Sequence, residues 1–180
     1  MKDNIEVLIS EQDVRNRIRE MADEISEQYR GKEVVLIGIL NGSVFFMTEL
    51  AQHLSIPLEM DFMAASSYVG TDSTGKVLVT KDLERSIEGR DVLIVEDIVD
   101  SGVTLHYLKQ HLNGRGAASI RIATLLDKPA RRRVDLKTDY SCFEIPDAFV
   151  VGYGLDYDEK YRNLPDIGVL VPRIYENEGK

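Results

Sequence analysis

Apolar residues recur at three- and four-residue steps through Val14, Ile18, Met21, Ile25 and Tyr29, the spacing that lines one face of an α-helix. Ser10 followed by Asp13 reads as a capping box ahead of that helix, and Gly31 as its end. Val34 to Leu40 is rich in β-branched residues without polar alternation, which predicts a strand buried on both faces. A short helix is expected from Ser43 to Leu54, ending before Pro57. Leu58, Met60, Phe62 and Ala64 then alternate with polar or small neighbours, the period of a strand with one wetter face. Ser66 to Gly75 is a stretch of serines, threonines, Gly70, Gly75 and Tyr68, and Val77 to Thr80 resumes apolar alternation; a long hairpin or flap is expected.

Farther on, Asp91 to Val95 reads as a short buried strand, Glu96 to Gly102 as a loop, and Val103 to Leu112 as a helix stopped by Asn113 and Gly114. Ser119 to Leu126, Phe149 to Tyr153 and Ile167 to Val171 supply further strands. Strands alternating with helices at this spacing predict an α/β fold with a mainly parallel sheet. No internal repeat or linker interrupts residues 1–180, so one domain is expected.

Composition narrows the function. With 180 residues and 43% apolar content, a domain of this size buries roughly 70% of the surface its unfolded chain exposes and needs no staples. Thirty-one acidic against 22 basic side chains leave a charge of -9, which argues against a dedicated nucleic-acid binder. Anionic ligands must be held locally. The single cysteine, Cys142, cannot form an internal disulfide, and no second Cys or spaced His pair offers a zinc site. The N-terminal residues lack the apolar core of a signal peptide, and the longest apolar run is far too short for a bilayer; a cytoplasmic protein without a membrane partner is expected.

The chemistry concentrates in Val92 to Thr104. A buried strand delivers Glu96, Asp97 and Asp100 to its C-terminal end, where open α/β sheets bind ligands. A loop of small residues then opens a helix. Backbone N–H groups of Ser101, Gly102, Val103 and Thr104 at that helix start can cradle a phosphate. Carboxylates beside a polyanion would repel it unless they meet hydroxyl groups or a hard divalent cation bridges them to phosphate oxygens. A sugar phosphate carrying a diphosphate provides all of these.

This string resembles the phosphoribosyl-diphosphate-binding signature of type I phosphoribosyltransferases, and the chain as a whole is similar to the hypoxanthine-guanine branch of that family. The likeness includes Leu40, Asn41, Gly42 and Ser43 after the first long strand, Ser67 and Tyr68 opening the flap, and Lys137 ahead of the run Phe143 to Asp147. It extends through Phe149 to Tyr157 and on to Tyr161, Arg162, Asn163 and Leu164. The resemblance implies the type I fold, a central parallel sheet flanked by helices with a small hood and a flap over the site. It also implies transfer of the phosphoribosyl group from phosphoribosyl diphosphate to N9 of hypoxanthine, and of guanine, giving IMP or GMP and diphosphate. Magnesium is the implied cofactor, and a homodimer or homotetramer the implied assembly.

Residue by residue, the resemblance gives Glu96 and Asp97 the ribose hydroxyls, directly or through a magnesium ion, and Asp100 the proton of purine N7. Ser101 to Thr104 would hold the 5′-phosphate. Lys137 would read the 6-oxo group, Phe149 would stack on the base, and Val150 would contact its edge through the backbone. Asp156 would hold a second magnesium ion, Arg162 would contact the diphosphate, and the Leu40–Asn41 peptide is a candidate for the cis form with its amides toward the diphosphate. Many family members carry a basic residue where this chain has Asn41, so the resemblance leaves open how much of the diphosphate's charge is met by protein and how much by magnesium and Arg162.

Other readings are weaker. Taken alone, Phe149 would be a core residue, Lys137 part of a solvated basic loop, and Asp156 one of an acidic cluster at a helix start. Gly70, Gly75 and Lys76 nearly spell a P-loop, but Val77 stands where a hydroxyl should reach magnesium and a strand follows instead of a helix. His53, His106 and His111 form no metal set, and Cys142 is simplest as a packing residue. An RNA-binding regulator on the same fold would use the +5 segment Arg115 to Lys137, but the remaining chain is then -14 and opposes long RNA. A xanthine-preferring enzyme stays open, whereas adenine would leave a lysine donor facing an amino group.

Overall fold

The structure is a computed structural model that describes residues 5–68 and 76–170, with positions 67, 68 and 76 as backbone only. Its elements run β1 (Ile5–Ile9), α1 (Glu11–Gln28), β2 (Val34–Ile39), α2 (Val44–His53), β3 (Leu58–Tyr68), β4 (Lys76–Lys81), β5 (Asp91–Val99), α3 (Val103–Asn113), β6 (Ser119–Asp127), β7 (Tyr140–Glu144), β8 (Val150–Val151) and β9 (Ile167–Leu170). A six-stranded sheet has the order β4-β3-β2-β5-β6-β7. Its strands pair in parallel except for β4, which runs antiparallel to β3. β1, β9 and β8 form a small antiparallel sheet of their own.

The expected α1 forms as its pattern dictates. Ser10 caps it, its hydroxyl accepting from Asp13 N at 3.2 Å and donating to the Asp13 carboxylate at 2.6 Å, and Val14, Ile18, Met21 and Ile25 are fully buried. β2 is buried along its whole length, because helices cover both faces of the sheet. On one face Ile18 and Met21 of α1 pack with Phe46 and Leu50 of α2. On the other, Leu108 and Leu112 of α3 pack on Ile37, Ile94 and Ile122. Gly38 is required by this layering, since a Cβ there would stand 2.2 Å from the Met47 sulfur.

Four differences from the sequence reading bear on the site. β5 continues through Glu96 and Asp97 to Val99, where a loop was expected, because β6 pairs alongside it at Glu96↔Thr124, Ile98↔Leu126 and Val99↔Asp127. The strand expected over Phe149 to Tyr153 shrinks to Val150–Val151, ending where Gly152 (φ 96°), Tyr153 (φ 51°) and Gly154 (φ 101°) turn the chain back. β1 and β7 carry no strong periodicity and were not anticipated; β1 is largely exposed, and β7 completes the edge of the large sheet. The flap expected from Ser66 to Gly75 appears as the antiparallel β3–β4 ladder at its base, and its tip lies outside the described residues. No helix follows Lys76, which opens β4, in keeping with rejection of a P-loop.

Candidate active site

The carboxyl ends of β5 and β6 meet the segment that runs from Asp147 to Asp156. A cavity of about 460 Å³ opens there, lined by Asp97, Ile98, Asp100, Lys128, Arg131, Asp147, Ala148, Phe149, Val150, Leu155 and Asp156. Beside it a smaller cavity of about 130 Å³ is lined by Glu96, Asp100, Ser101, Gly102 and Thr104. The two share Ile98 and Asp100. Phe149, placed by default in a core, is 44% exposed and forms an edge-to-face pair with Tyr157 at 5.6 Å. Val150 beneath it is buried.

The loop from Asp100 to Thr104 is built for close approach. Gly102, at φ 77°, is the N-cap of α3, and a Cβ there would press on Arg132 and Val134. Arg132 donates to the Asp100 carbonyl at 3.0 Å, and Arg133 N donates to the Ser101 carbonyl at 2.9 Å. The first-turn amides of α3 border the smaller cavity, so an anion there would meet N–H groups and the positive end of the helix.

Glu96 and Asp97 adjoin each other at the end of β5. Burial, reinforced by the negative charge of Asp97, pushes the Glu96 carboxyl well above the usual range. Burial raises Asp97 as well, against hydrogen bonds from Glu96 and Ile98 N and the positive charge of Arg162. Such a pair favours holding a proton unless a cation or hydroxyl donors arrive. Among the described residues no three acidic or imidazole groups converge as a ready-made metal cage. The donor set nevertheless fits a magnesium ion, which commonly takes one or two carboxylates and draws its other ligands from water and substrate phosphate.

Asp156 lines the larger cavity, where Arg162 pairs with it at 3.0 Å and Glu159 N donates to it at 3.0 Å. Arg162 also donates to the Gly154 carbonyl at 2.9 Å. The Leu40–Asn41 peptide is cis, and Gly42 lies between the Asp97 carboxylate and Gly154. Asn41 is exposed, whereas Gly42 and Ser43 are buried. The backbones of Ser67 and Tyr68 pair with Val77 and Lys76 at the flap base, and their side chains lie outside the described residues.

Of the expected residues, Leu40, Asn41, Gly42, Val103, Arg162 and Lys137 line neither cavity. Lys137 is exposed in the irregular segment before β7 and does not line the cavity. The lysine that does is Lys128, which directly follows β6 and is only 7% exposed. Its ammonium donates to the Ala148 carbonyl at 2.6 Å and lies 3.9 Å from Asp147. The resemblance had given the 6-oxo role to Lys137, ahead of the Phe143–Asp147 run. A better signal was available: Lys128 is the residue delivered by a buried parallel strand to the ligand-binding edge of the sheet. Arg131 and Asp147 were also missed as cavity residues.

Much of the basic segment is internally paired. Arg115 is bidentate to Asp82 at 2.9 Å, Arg132 pairs with Asp127, Arg131 with Asp100 and Asp147, and Arg121 meets Tyr140. That leaves little of the positive stripe an RNA-binding surface would need. His53, His106 and His111 each sit beside a different partner, Glu49, Gln110 and Asp82. Cys142 is buried and its thiol is pushed up to about 12 by that burial, which suits a packing role. No helix among the described residues is long and apolar enough to cross a membrane.

Comparison with known proteins agrees with this geometry. The family model for the phosphoribosyl transferase domain matches residues 8–158. The hypoxanthine-guanine phosphoribosyltransferase of Bacillus subtilis is 53% identical over 98% of this chain and 99% of its own length. That of Streptococcus thermophilus is 49% identical over 97% of each. The crystal structure of a hypoxanthine phosphoribosyltransferase from Staphylococcus aureus superposes with a TM-score of 0.94 at 48% identity, covering 97% of this chain and 96% of that one. With its strand order, its acidic strand end and these relatives in agreement, the chain belongs to the phosphoribosyltransferase family, in its hypoxanthine-guanine branch.

Proposed function

We propose that this protein is a purine salvage enzyme. It transfers the phosphoribosyl group of phosphoribosyl diphosphate to N9 of hypoxanthine and guanine, giving IMP and GMP with release of diphosphate. The observation that carries this reading is the pairing of a carboxylate and an ammonium in one cavity: Asp100 and Lys128 both line it, with Phe149 and Val150 forming its wall. A 6-oxopurine needs an acceptor for the N7 proton and a donor for O6. Lys128 has three N–H donors and spends one on Ala148, so it takes the 6-oxo role that the resemblance first gave to Lys137.

Phe149 stacks on the base and Val150 offers its backbone to the base edge. The amides and hydroxyls of Ser101 to Thr104 hold the 5′-phosphate. Glu96 and Asp97 meet the ribose hydroxyls or a magnesium ion, Asp156 serves a second ion, and Arg162 with the Leu40–Gly42 turn faces the diphosphate. Magnesium, when bound, neutralises the leaving diphosphate. Positive character builds at C1 as the glycosidic bond breaks, and the carboxylates of this strand end stabilise it. Ser67 and Tyr68 open a flap that excludes water from that centre.

Residues 1–180 are read as one catalytic domain, active as a homodimer or homotetramer in the cytoplasm, a setting that suits a lone buried cysteine. The test is Asp100→Asn assayed with hypoxanthine and phosphoribosyl diphosphate. We expect turnover to fall by about 100-fold or more, the scale of a lost general base. Wild-type turnover would remove the proton-acceptor role.

A further inference from the structure

Asp100 does not stand alone in its cavity. Arg131 Nε donates to Asp100 Oδ1 at 2.6 Å, while Nη1 of the same guanidinium reaches both Asp147 oxygens at 3.0 and 3.1 Å. The two carboxylates come from different parts of the chain, one following β5 and one between β7 and β8. All three residues line the cavity. We propose that Arg131 is a positioning residue for the transfer reaction, anchored on Asp147 and holding the Asp100 carboxylate in the orientation that meets purine N7. This inference rests on the reading of Asp100 as the proton acceptor.

Asp100 needs such a partner. Its side chain is 40% exposed at the end of a strand, with the left-handed Gly102 two residues on. An unheld carboxylate there would rotate among solvent-facing rotamers. The backbone around it is fixed by Arg132, which donates to its carbonyl, and the side chain by Arg131. Arg131 is itself set by the short turn Pro129–Arg131, its amide donating to the Lys128 carbonyl at 3.0 Å. A planar guanidinium transmits orientation between two carboxylates in a way a point charge does not.

Stability does not explain the arrangement. Ion pairs this exposed add little to stability, so what the contact supplies is geometry. Nε engages Oδ1, so the other Asp100 oxygen meets the base. When the N7 proton passes to Asp100, Asp147 keeps the charge of Arg131 compensated. The logic is that of a catalytic base oriented by a third group.

The experiment compares Arg131→Gln, Arg131→Lys and Asp147→Asn, each alone and combined with Asp100→Asn, in steady-state kinetics with both substrates. Arg131→Gln should lower kcat about 10- to 100-fold, the scale of a misplaced catalytic group, while KM for phosphoribosyl diphosphate stays within about twofold. Arg131→Lys, which can reach one carboxylate, should recover part of the loss, and Asp147→Asn should show a smaller loss in the same direction. In the Asp100→Asn background, Arg131→Gln should add nothing. An unchanged kcat in Arg131→Gln overturns the inference, as does a full additional loss in the Asp100→Asn background, or a fall in KM for hypoxanthine with kcat intact, which would make Arg131 a barrier to the base. If Asp100→Asn is itself fully active, the underlying reading fails first.

Discussion

Gly42 stands so close to Asp97 that a Cβ on it would lie 1.6 Å from the carboxylate Oδ2, and its carbonyl would be 2.0 Å from a Cβ on Gly154. The turn after β2, the end of β5 and the turn after β8 therefore interlock through two glycines. Gly42→Ala cannot be accommodated without moving Asp97. We expect a loss of about 1–3 kcal/mol in stability, the usual cost of overpacking, with a larger fall in kcat/KM for phosphoribosyl diphosphate; urea unfolding and steady-state kinetics check both.

Lys128 and Lys137 separate cleanly by substitution. Lys128→Ala should raise KM for hypoxanthine by about 5- to 150-fold, the equivalent of 1–3 kcal/mol for a lost buried donor. Lys137→Ala, at an exposed position, should leave it within about twofold. The reverse pattern would restore the assignment the resemblance first implied.

Base choice follows from the same ammonium. In a panel of hypoxanthine, guanine, xanthine and adenine at fixed magnesium, adenine should be the poorest substrate, because its amino group leaves the Lys128 donor unpaired. Adenine turnover comparable to hypoxanthine would contradict the role of Lys128.

Phe149→Ala should weaken base binding by about 1–3 kcal/mol, the range for loss of an aromatic stacking partner. Its ring is 44% exposed, so the unfolding midpoint should move little. Phe149→Tyr should retain binding. A stability loss without a change in base affinity would assign Phe149 to packing.

The Glu96–Asp97 pair sets a pH dependence whose sign can be worked out. Both carboxyls are raised by burial in the folded state, so the folded protein binds more protons than the unfolded chain once pH exceeds the ordinary carboxylate range. Stability contributed by this pair is greatest at acidic pH and declines as pH rises through that window. Glu96→Gln should flatten the decline and raise stability near neutrality relative to wild type, while impairing transfer. Thermal unfolding of both proteins from pH 4 to 8 without ligands tests this. A chelator should abolish activity in wild type, since the diphosphate then lacks its counterion.

The long elements were legible because each buries a repeating stripe. α1 reads from Val14 to Ile25, and β2 from an apolar run rich in β-branched residues, since burial on one face or on both leaves its mark residue by residue. The acidic end of β5 and the small-residue start of α3 are contiguous, so their chemistry was visible as well. β1 and β7 were not, because their strand character comes from partners distant in sequence, Ile167–Leu170 for one and β6 for the other.

The α/β class, the acidic strand end with its small-residue loop and helix, and the candidate proton acceptor Asp100 were legible in the sequence alone, all encoded within short windows. The tertiary structure alone decided which lysine lines the cavity, that Arg131 joins Asp100 to Asp147, and that Gly42 must be a glycine for the sake of Asp97 and Gly154. Each of those depends on strand ends and turns brought together from separate parts of the chain. Side-chain hydrogen bonds and steric limits act over a few ångströms of space, and separation along the sequence does not reveal that proximity.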